Sequence, residues 1–128
     1  MPPPAGHVGA ELDVSSLLEQ RLGDYLETLA SRAPVPASGT TAALVAAAAV
    51  ALVEKVARIS ADWDGTSGAS ARARALRTRL TALAPADAES YVAALEAARA
   101  AAALPDVERD EAVGQAFARA ADVPLAIA

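Results

Sequence analysis

Few side chains in this 128-residue sequence are suited to acid–base or nucleophilic chemistry. The sequence has no cysteine and a single histidine, His7, which lies in a stretch rich in proline and glycine. A cysteine nucleophile, a thiolate zinc site and a multi-histidine metal site are therefore excluded. Asp62 and Asp64 share a predicted turn, but two carboxylates are too few ligands for calcium. We therefore predict no metal site.

Asp87 is the carboxylate that we single out for proton transfer. A carboxylate within reach of a reacting group can act as a general acid or base. Asp87 also follows Pro85 closely, near the predicted start of a helix, where an aspartate often caps free N–H groups. The catalytic role and the capping role are compatible, and the residues alone leave both open.

A second candidate site is the loop at residues 34–41, which reads Pro-Val-Pro-Ala-Ser-Gly-Thr-Thr. Its two prolines hold the backbone extended before a helix starts. Backbone N–H groups at a helix start suit an anionic or carbonyl-bearing ligand, and Ser38 and Thr40 could add hydroxyl contacts. The alternative is an ordinary turn in which Ser38, Thr40 or Thr41 caps the helix.

Helices must position these residues. Alanine, the best helix former, is abundant, whereas only 3% of residues are aromatic, so we predict an all-α fold. We expect a flexible lead at 1–13 and one helical domain at 14–128. Proline, glycine and polar clusters divide that domain into a bundle of about five helices, near 15–32, 40–60, 69–84, 86–103 and 106–121. Pro124 resembles the start of another helix, so we expect the domain to be incomplete at its C-terminus.

The helix predicted at 40–60 is apolar on every side as far as Val53. A helix without a polar face must be surrounded by other helices or by a partner subunit. We therefore expect its apolar face to lie at a subunit interface, or to be partly exposed if helices are missing. Trp63, the only tryptophan, is expected to fold back over the helix ends.

Charge and hydropathy argue against two classes of partner, nucleic acids and membranes. The net charge is −5 and no basic tract stands out, which argues against nucleic-acid binding. The most apolar run, residues 42–53, is shorter than the ~18 residues that indicate a membrane span. The N-terminus lacks the pattern of a secretory signal. We therefore expect a soluble, cytoplasmic protein.

Four motifs occur in an order typical of one family. Residues 25–44 combine an amphipathic helix, the Pro-Val-Pro loop and an alanine-rich helix; Asp-Ala-Glu-Ser-Tyr follows at 87–91, Leu-Pro at 104–105 and Ala-Ala-Asp-Val-Pro-Leu at 120–125. In this order they resemble the folate-dependent cyclodeaminase/cyclohydrolase family, which includes formiminotetrahydrofolate cyclodeaminase and methenyltetrahydrofolate cyclohydrolase. The likeness extends over about residues 16–128.

The resemblance implies an all-helical domain, usually a homodimer, that acts on a one-carbon adduct of tetrahydrofolate. Cyclodeaminases close a formimino group into methenyltetrahydrofolate with loss of ammonia, and cyclohydrolases hydrate the methenyl bridge. Neither reaction needs a metal or a redox cofactor. On this basis Asp87 is the expected acid/base residue. Pro36, Ser38, Gly39 and Thr40 are the expected substrate-binding residues.

The sequence also departs from the family pattern. Where the family has three glycines this chain has Ala37, Ser38 and Gly39, and Lys55 stands where methionine is common. Glycine permits positive φ and close ligand approach, so the two added Cβ atoms bear on activity. The family domain is also longer than this chain.

Two alternatives therefore stay open. One is a catalytically silent helical dimerisation or interaction module of the same fold. The other is a small secreted helical-hairpin protein, because Trp63-Asp64-Gly65 resembles the Trp-x-Gly turn of that class. The Tyr-x-x-x-Asp/Glu signal of the class is missing, since Leu29 follows Tyr25 and Leu95 follows Tyr91 at the fourth position.

The predicted third helix carries four arginines, which can be interpreted in two ways. They are Arg72, Arg74, Arg77 and Arg79. They could attract the glutamate tail of a folate. They are spread over two faces of the helix, however, as on a solvated surface.

Overall fold

The computed structural model describes residues 14–128 and is all-α over that range. A 3-10 helix at Val14–Glu19 precedes four α-helices: α1 (Leu22–Ala30), α2 (Ser38–Ile59), α3 (Thr66–Ala101) and α4 (Asp106–Ile127). The predicted all-α class is confirmed. The lead predicted at 1–13 lies outside the described residues.

The long helix α3 organises the bundle, because α2, α4 and the 3-10 helix all pack against it. Alanines line its contact with α2, including the fully buried Ala43 and Ala84. Side chains this small let the helix backbones approach closely. Larger groups, Leu17, Tyr25 and Val35, complete the core beside the start of α2.

The turn between α2 and α3 depends on Gly65. Its φ is +86°, the only positive value among the glycines of the described residues. A side chain at this position would be strained, since L-residues rarely adopt a left-handed backbone. Gly65 immediately precedes α3 and thus sets where the long helix begins.

Two prolines lie inside helices that the sequence predicted to end there. Pro85 lies within α3, so the helices predicted at 69–84 and 86–103 are one helix. Pro124 lies within α4, so the interpretation that it starts a new helix was wrong. An internal proline costs about 3 kcal/mol because it removes one backbone hydrogen bond. At Pro85 the neighbouring Ala84 and Ala88, both essentially buried, show that packing on both sides of α3 outweighs that cost.

The predicted caps were also wrong. Arg21 precedes α1 and Ala37 precedes α2, and neither helix has a side-chain cap hydrogen bond. The predicted start of the first helix at Ser15 or Ser16 instead falls within the 3-10 helix. Trp63 does not fold back over the helix ends, because 76% of its surface is exposed. Among the described residues, no helix is long and apolar enough to cross a membrane.

Candidate active-site cleft

Asp87 lies in the middle of α3 and faces the first turn of α2. It is buried, with only 5% of its surface exposed. Its carboxylate occupies the space that a side chain at position 39 would fill. A Cβ on Gly39 would lie 2.6 Å from Asp87 Cγ and 2.7 Å from Oδ2, far inside van der Waals contact. The absence of a Cβ at Gly39 therefore lets a carboxylate approach the positive end of α2.

Thr40 holds this carboxylate. The Thr40 hydroxyl donates a 2.9 Å hydrogen bond to Asp87 Oδ2, and Thr40 itself is fully buried. A buried carboxylate is costly unless hydrogen bonds and nearby positive charge compensate it. Thr40 supplies the hydrogen bond, and the start of α2 supplies the partial positive charge.

Helix α1 fixes the loop that leads into α2. The Thr41 hydroxyl donates to the Ala37 carbonyl at 2.9 Å. Its single proton is thereby used, so Tyr25 must donate the 2.8 Å hydrogen bond between the two hydroxyls. Tyr25 is buried in the core, and this pair ties α1 to the first turn of α2.

The first turn of α2 and the middle of α3 open onto a cleft of about 330 Å³, which α4 closes on its other side. Ser90 and Tyr91 follow Asp87 along α3, and Tyr91 meets Phe117 of α4 edge-to-face with ring centroids 6.3 Å apart. The Ser90 hydroxyl donates to the Asp87 carbonyl at 2.9 Å. The lining residues are Ala37, Ser38, Gly39, Asp87, Ser90, Tyr91, Phe117, Ala120, Ala121 and Pro124.

The structure brings most of the predicted site residues together. Ser38, Gly39 and Asp87 line the same cleft. Thr40 and Pro36 are buried instead, so Thr40 acts on Asp87 rather than at the cleft surface. The capping role considered for Asp87 is wrong, because Asp87 lies far inside α3.

Sequence reasoning missed three residues that share this cleft, namely Ser90, Tyr91 and Phe117. A signal existed for two of them. Ser90 and Tyr91 follow Asp87 by three and four positions, and residues at that spacing share one helix face. Phe117 had no comparable signal, since only the packing of α4 on α3 brings it to the cleft.

Three of the four predicted third-helix arginines, Arg74, Arg77 and Arg79, make contacts within the fold. Glu54 of α2 is buried and accepts hydrogen bonds from Arg58, from Arg74 Nε at 3.3 Å and from Arg77 Nε at 3.0 Å. Burial raises the pKa of Glu54, but the bonds from Arg77, Arg58 and Arg74 outweigh it and hold that pKa below its usual value. Arg79 donates to the Ala126 carbonyl at 2.8 Å.

The formiminotransferase-cyclodeaminase family model matches residues 21–128, most of the chain. The chain belongs to this family. The match covers all four α-helices and every residue that lines the cleft. It leaves out the 3-10 helix that precedes α1. No curated protein and no solved structure shows significant similarity to the chain.

Membership of the cyclodeaminase family overturns the helical-hairpin alternative. A hairpin has two helices, whereas this chain packs four α-helices around α3 in the part that the structure describes. The Trp63-Asp64-Gly65 turn is then a connection between α2 and α3 and not a family signature.

Proposed function

We propose that this chain acts on a one-carbon adduct of tetrahydrofolate, as a cyclodeaminase or a cyclohydrolase, with Asp87 as its acid/base residue. Two observations support this. The chain belongs to the formiminotransferase-cyclodeaminase family. Within the fold, Gly39 gives the Asp87 carboxylate its place between the first turn of α2 and the cleft.

The contact between Gly39 and Asp87 carries the proposal, because it accounts for which glycine this chain retains. Of the three positions where the family has glycine, 37 and 38 carry side chains here, and both line the cleft without displacing Asp87. Only position 39 lies where a Cβ would collide with the carboxylate. The altered loop therefore preserves the one glycine that the carboxylate needs.

The proposed chemistry is proton transfer at Asp87. In cyclodeamination the N10 amine attacks the formimino carbon, forming a new C–N bond. The formimino group enters protonated, as –CH=NH2+. Asp87 accepts the N10 proton and returns it to the departing –NH2 group, which leaves as ammonia when its C–N bond breaks and the methenyl cation forms. In the hydration reaction Asp87 takes one proton from the water that attacks the methenyl carbon and returns it to the ring nitrogen released as its C–N bond breaks. The second water proton is released to solvent as the formyl C=O bond forms, which balances the positive charge of the methenyl group.

The rest of the cleft suits an aromatic heterocycle with polar edges. Its volume of about 330 Å³ falls at the lower end of the range for small-molecule sites. The Tyr91–Phe117 pair offers an aromatic surface, while Ser38 and Ser90 offer hydroxyl groups on the other sides. The reaction as proposed requires the protein only to move protons, and it needs no metal or redox cofactor.

Ligand titration and turnover test this proposal. A stable reduced folate should raise the melting temperature of the chain, because a ligand that binds only the native state stabilises it. Methenyltetrahydrofolate and formiminotetrahydrofolate should turn over above background, and Asp87→Asn should reduce either rate by about 100-fold or more. Glu96→Gln, an exposed carboxylate on the same helix, is the matched control and should leave the rate unchanged.

A second candidate is the silent interaction module of the same fold, which the exposed apolar side chains of α2 favour. The two candidates predict different results. A silent module would show no folate-dependent rise in melting temperature and no turnover that Asp87→Asn abolishes. Turnover lost in Asp87→Asn and retained in Glu96→Gln would exclude it.

A further inference from the structure

A second pocket, of about 450 Å³, lies between the last turns of α2 and the first half of α3. Lys55 and Arg58 of α2 and Arg77 of α3 line it, together with one acidic residue, Glu54. It shares no lining residue with the cleft. Along α2, Gly39 of the cleft and Lys55 of this pocket are separated by roughly 24 Å at 1.5 Å per residue. The basic pocket is therefore a separate site.

The charge around the basic pocket is opposite in sign to the charge of the chain as a whole. The net charge is −5, yet α3 carries four arginines and no acidic residue over residues 66–86. Glu54 is the only acidic residue of α2. Asp62 and Asp64 lie in the turn between the two helices and do not line the pocket. Positive potential is thus concentrated here, where it attracts anions.

Glu54 fixes the positions of three guanidinium groups. Its side chain is only 6% exposed, and both of its carboxylate oxygens accept hydrogen bonds. Arg58 and Arg74 donate to Oε1, and Arg77 donates to Oε2 through Nε at 3.0 Å. Three cations this close would otherwise repel one another. The carboxylate therefore holds them side by side before any ligand binds, which lowers the cost of ordering them.

The three arginines keep most of their donors for a ligand. A guanidinium group has about five N–H donors, and Glu54 accepts from only one or two on each arginine. Among the described residues, Glu54 is the only side chain that bonds to Arg58, Arg74 and Arg77. All three remain exposed, and the neighbouring Lys55 adds an exposed ammonium group. Cationic donors therefore outnumber the single carboxylate, whose oxygens are already bonded.

We propose that the basic pocket binds the phosphate group of a small organic phosphate. A carboxylate offers two oxygens and one charge, whereas a phosphate group offers three oxygens and nearly two charges. Three converging guanidinium groups match the phosphate better, because the planar fork of arginine bonds to phosphate oxygens in pairs. The pocket is larger than a phosphate group, and Ala51 and Ile59 give it an apolar wall for the organic part of the ligand.

Titration calorimetry of the full chain with pyrophosphate at low ionic strength tests the site. Lys55→Gln should weaken binding about 10-fold, because it removes one charged contact. Lys55 is exposed, so the variant is expected to fold, with an unchanged helical signal in circular dichroism. Arg99→Gln is the matched control, since it removes the same charge from an exposed position in the last turn of α3. It should change the dissociation constant by no more than about twofold.

Two results of this titration would overturn the proposal. One is a wild-type chain that does not bind pyrophosphate. The other is equal weakening by Lys55→Gln and Arg99→Gln, because affinity would then follow net charge and not a particular pocket.

Arg58→Lys distinguishes an arranged phosphate site from a diffuse positive charge. The substitution keeps the charge, and an ammonium group can still pair with Glu54, but the planar fork is lost. We expect pyrophosphate to bind about 5- to 10-fold more weakly. A dissociation constant equal to that of wild type would contradict recognition by the guanidinium groups and overturn the proposal.

Ligand comparison tests the chemical class. Triglutamate carries carboxylates and no phosphate, so it should bind at least about 10-fold more weakly than pyrophosphate. Equal or tighter binding of triglutamate would overturn the assignment to phosphate. Phenyl phosphate should bind more tightly than inorganic phosphate, because its ring can contact Ile59. No gain from the ring would identify free phosphate as the ligand and overturn the organic part of the proposal.

Chemical-shift mapping by NMR tests the location and keeps this proposal separate from the catalytic one. Pyrophosphate should shift the amide signals of Ala51, Lys55 and Arg58 and leave those of Ser38 and Ser90 unchanged. Shifts confined to the cleft would overturn the proposal. A chain that binds pyrophosphate at the basic pocket but turns over no folate would refute only the catalytic proposal.

Discussion

Thr40 of α2 donates a buried 2.9 Å hydrogen bond to Asp87 of α3, across the contact between the two helices. The bond joins residues that lie 47 positions apart in the sequence. It connects the core to the cleft, because Thr40 is fully buried whereas Asp87 lines the cleft. Thr40 therefore positions the carboxylate from behind, and the packing of α2 on α3 determines where Asp87 stands.

Replacing Thr40 tests this positioning. Thr40→Val keeps the shape of the side chain but leaves a buried carboxylate without its donor, and we expect a loss of about 1–3 kcal/mol in unfolding free energy. Thr40→Ser keeps the hydroxyl and should recover most of the loss. Urea unfolding measures both variants, and equal stability of the valine and serine variants would contradict the role of the hydrogen bond.

Gly39→Ala should be strongly unfavourable. Its Cβ would collide with the Asp87 carboxylate, so the helices or the carboxylate must move, at a cost of about 1–3 kcal/mol. Gly114→Ala is the control, because Gly114 lies inside α4 with nothing within 4 Å of an added Cβ. That substitution should raise stability by about 0.5–1 kcal/mol. Thermal unfolding of both variants should show shifts of opposite sign.

Removing the hydroxyl from each of the two tyrosines should distinguish a hydroxyl that stabilises the fold from one that lines the cleft. Tyr25→Phe removes the donor to Thr41 that ties α1 to α2, and we expect to lose about 1 kcal/mol of stability. Tyr91→Phe keeps the ring that meets Phe117 and should leave stability nearly unchanged. Any effect of Tyr91→Phe should instead appear in folate affinity, measured by titration calorimetry.

Glu54→Gln should remove a pH-dependent part of the stability. The arginines lower the pKa of Glu54 in the folded chain, so its contribution is complete above the unfolded value of 4.5 and is lost as the pH falls through the lower folded value. Wild type should therefore exceed Glu54→Gln in unfolding free energy at about pH 7, and the difference should shrink towards about pH 3. Glu96→Gln, exposed on α3, should show no such convergence.

The sequence was most informative where patterns are local. Composition was enough to predict the all-α class, and the order of four short motifs was enough to predict the cyclodeaminase family. Composition depends only on residue types, and each short motif depends only on residues that are close in the sequence. The extent of the second helix was also close, because Pro36 and the polar cluster after Ile59 mark its ends in the sequence itself.

What the sequence missed depends on contacts between helices. Pro85 predicts a helix end from local sequence, yet α3 continues past it because α2 and α4 pack on α3. Because a helix was predicted to start after Pro85, Asp87 was expected near a helix start. It lies instead near the centre of α3. Its relation to Gly39 could be read only once α2 and α3 were packed together.

The cleft takes its lining from three helices, because Gly39 lies on α2, Asp87 on α3 and Phe117 on α4. Neither the α2–α3 pair nor the α3–α4 pair completes it alone. Any affinity for a folate should therefore disappear together with the helical circular-dichroism signal when the chain is unfolded in urea, with one midpoint for both.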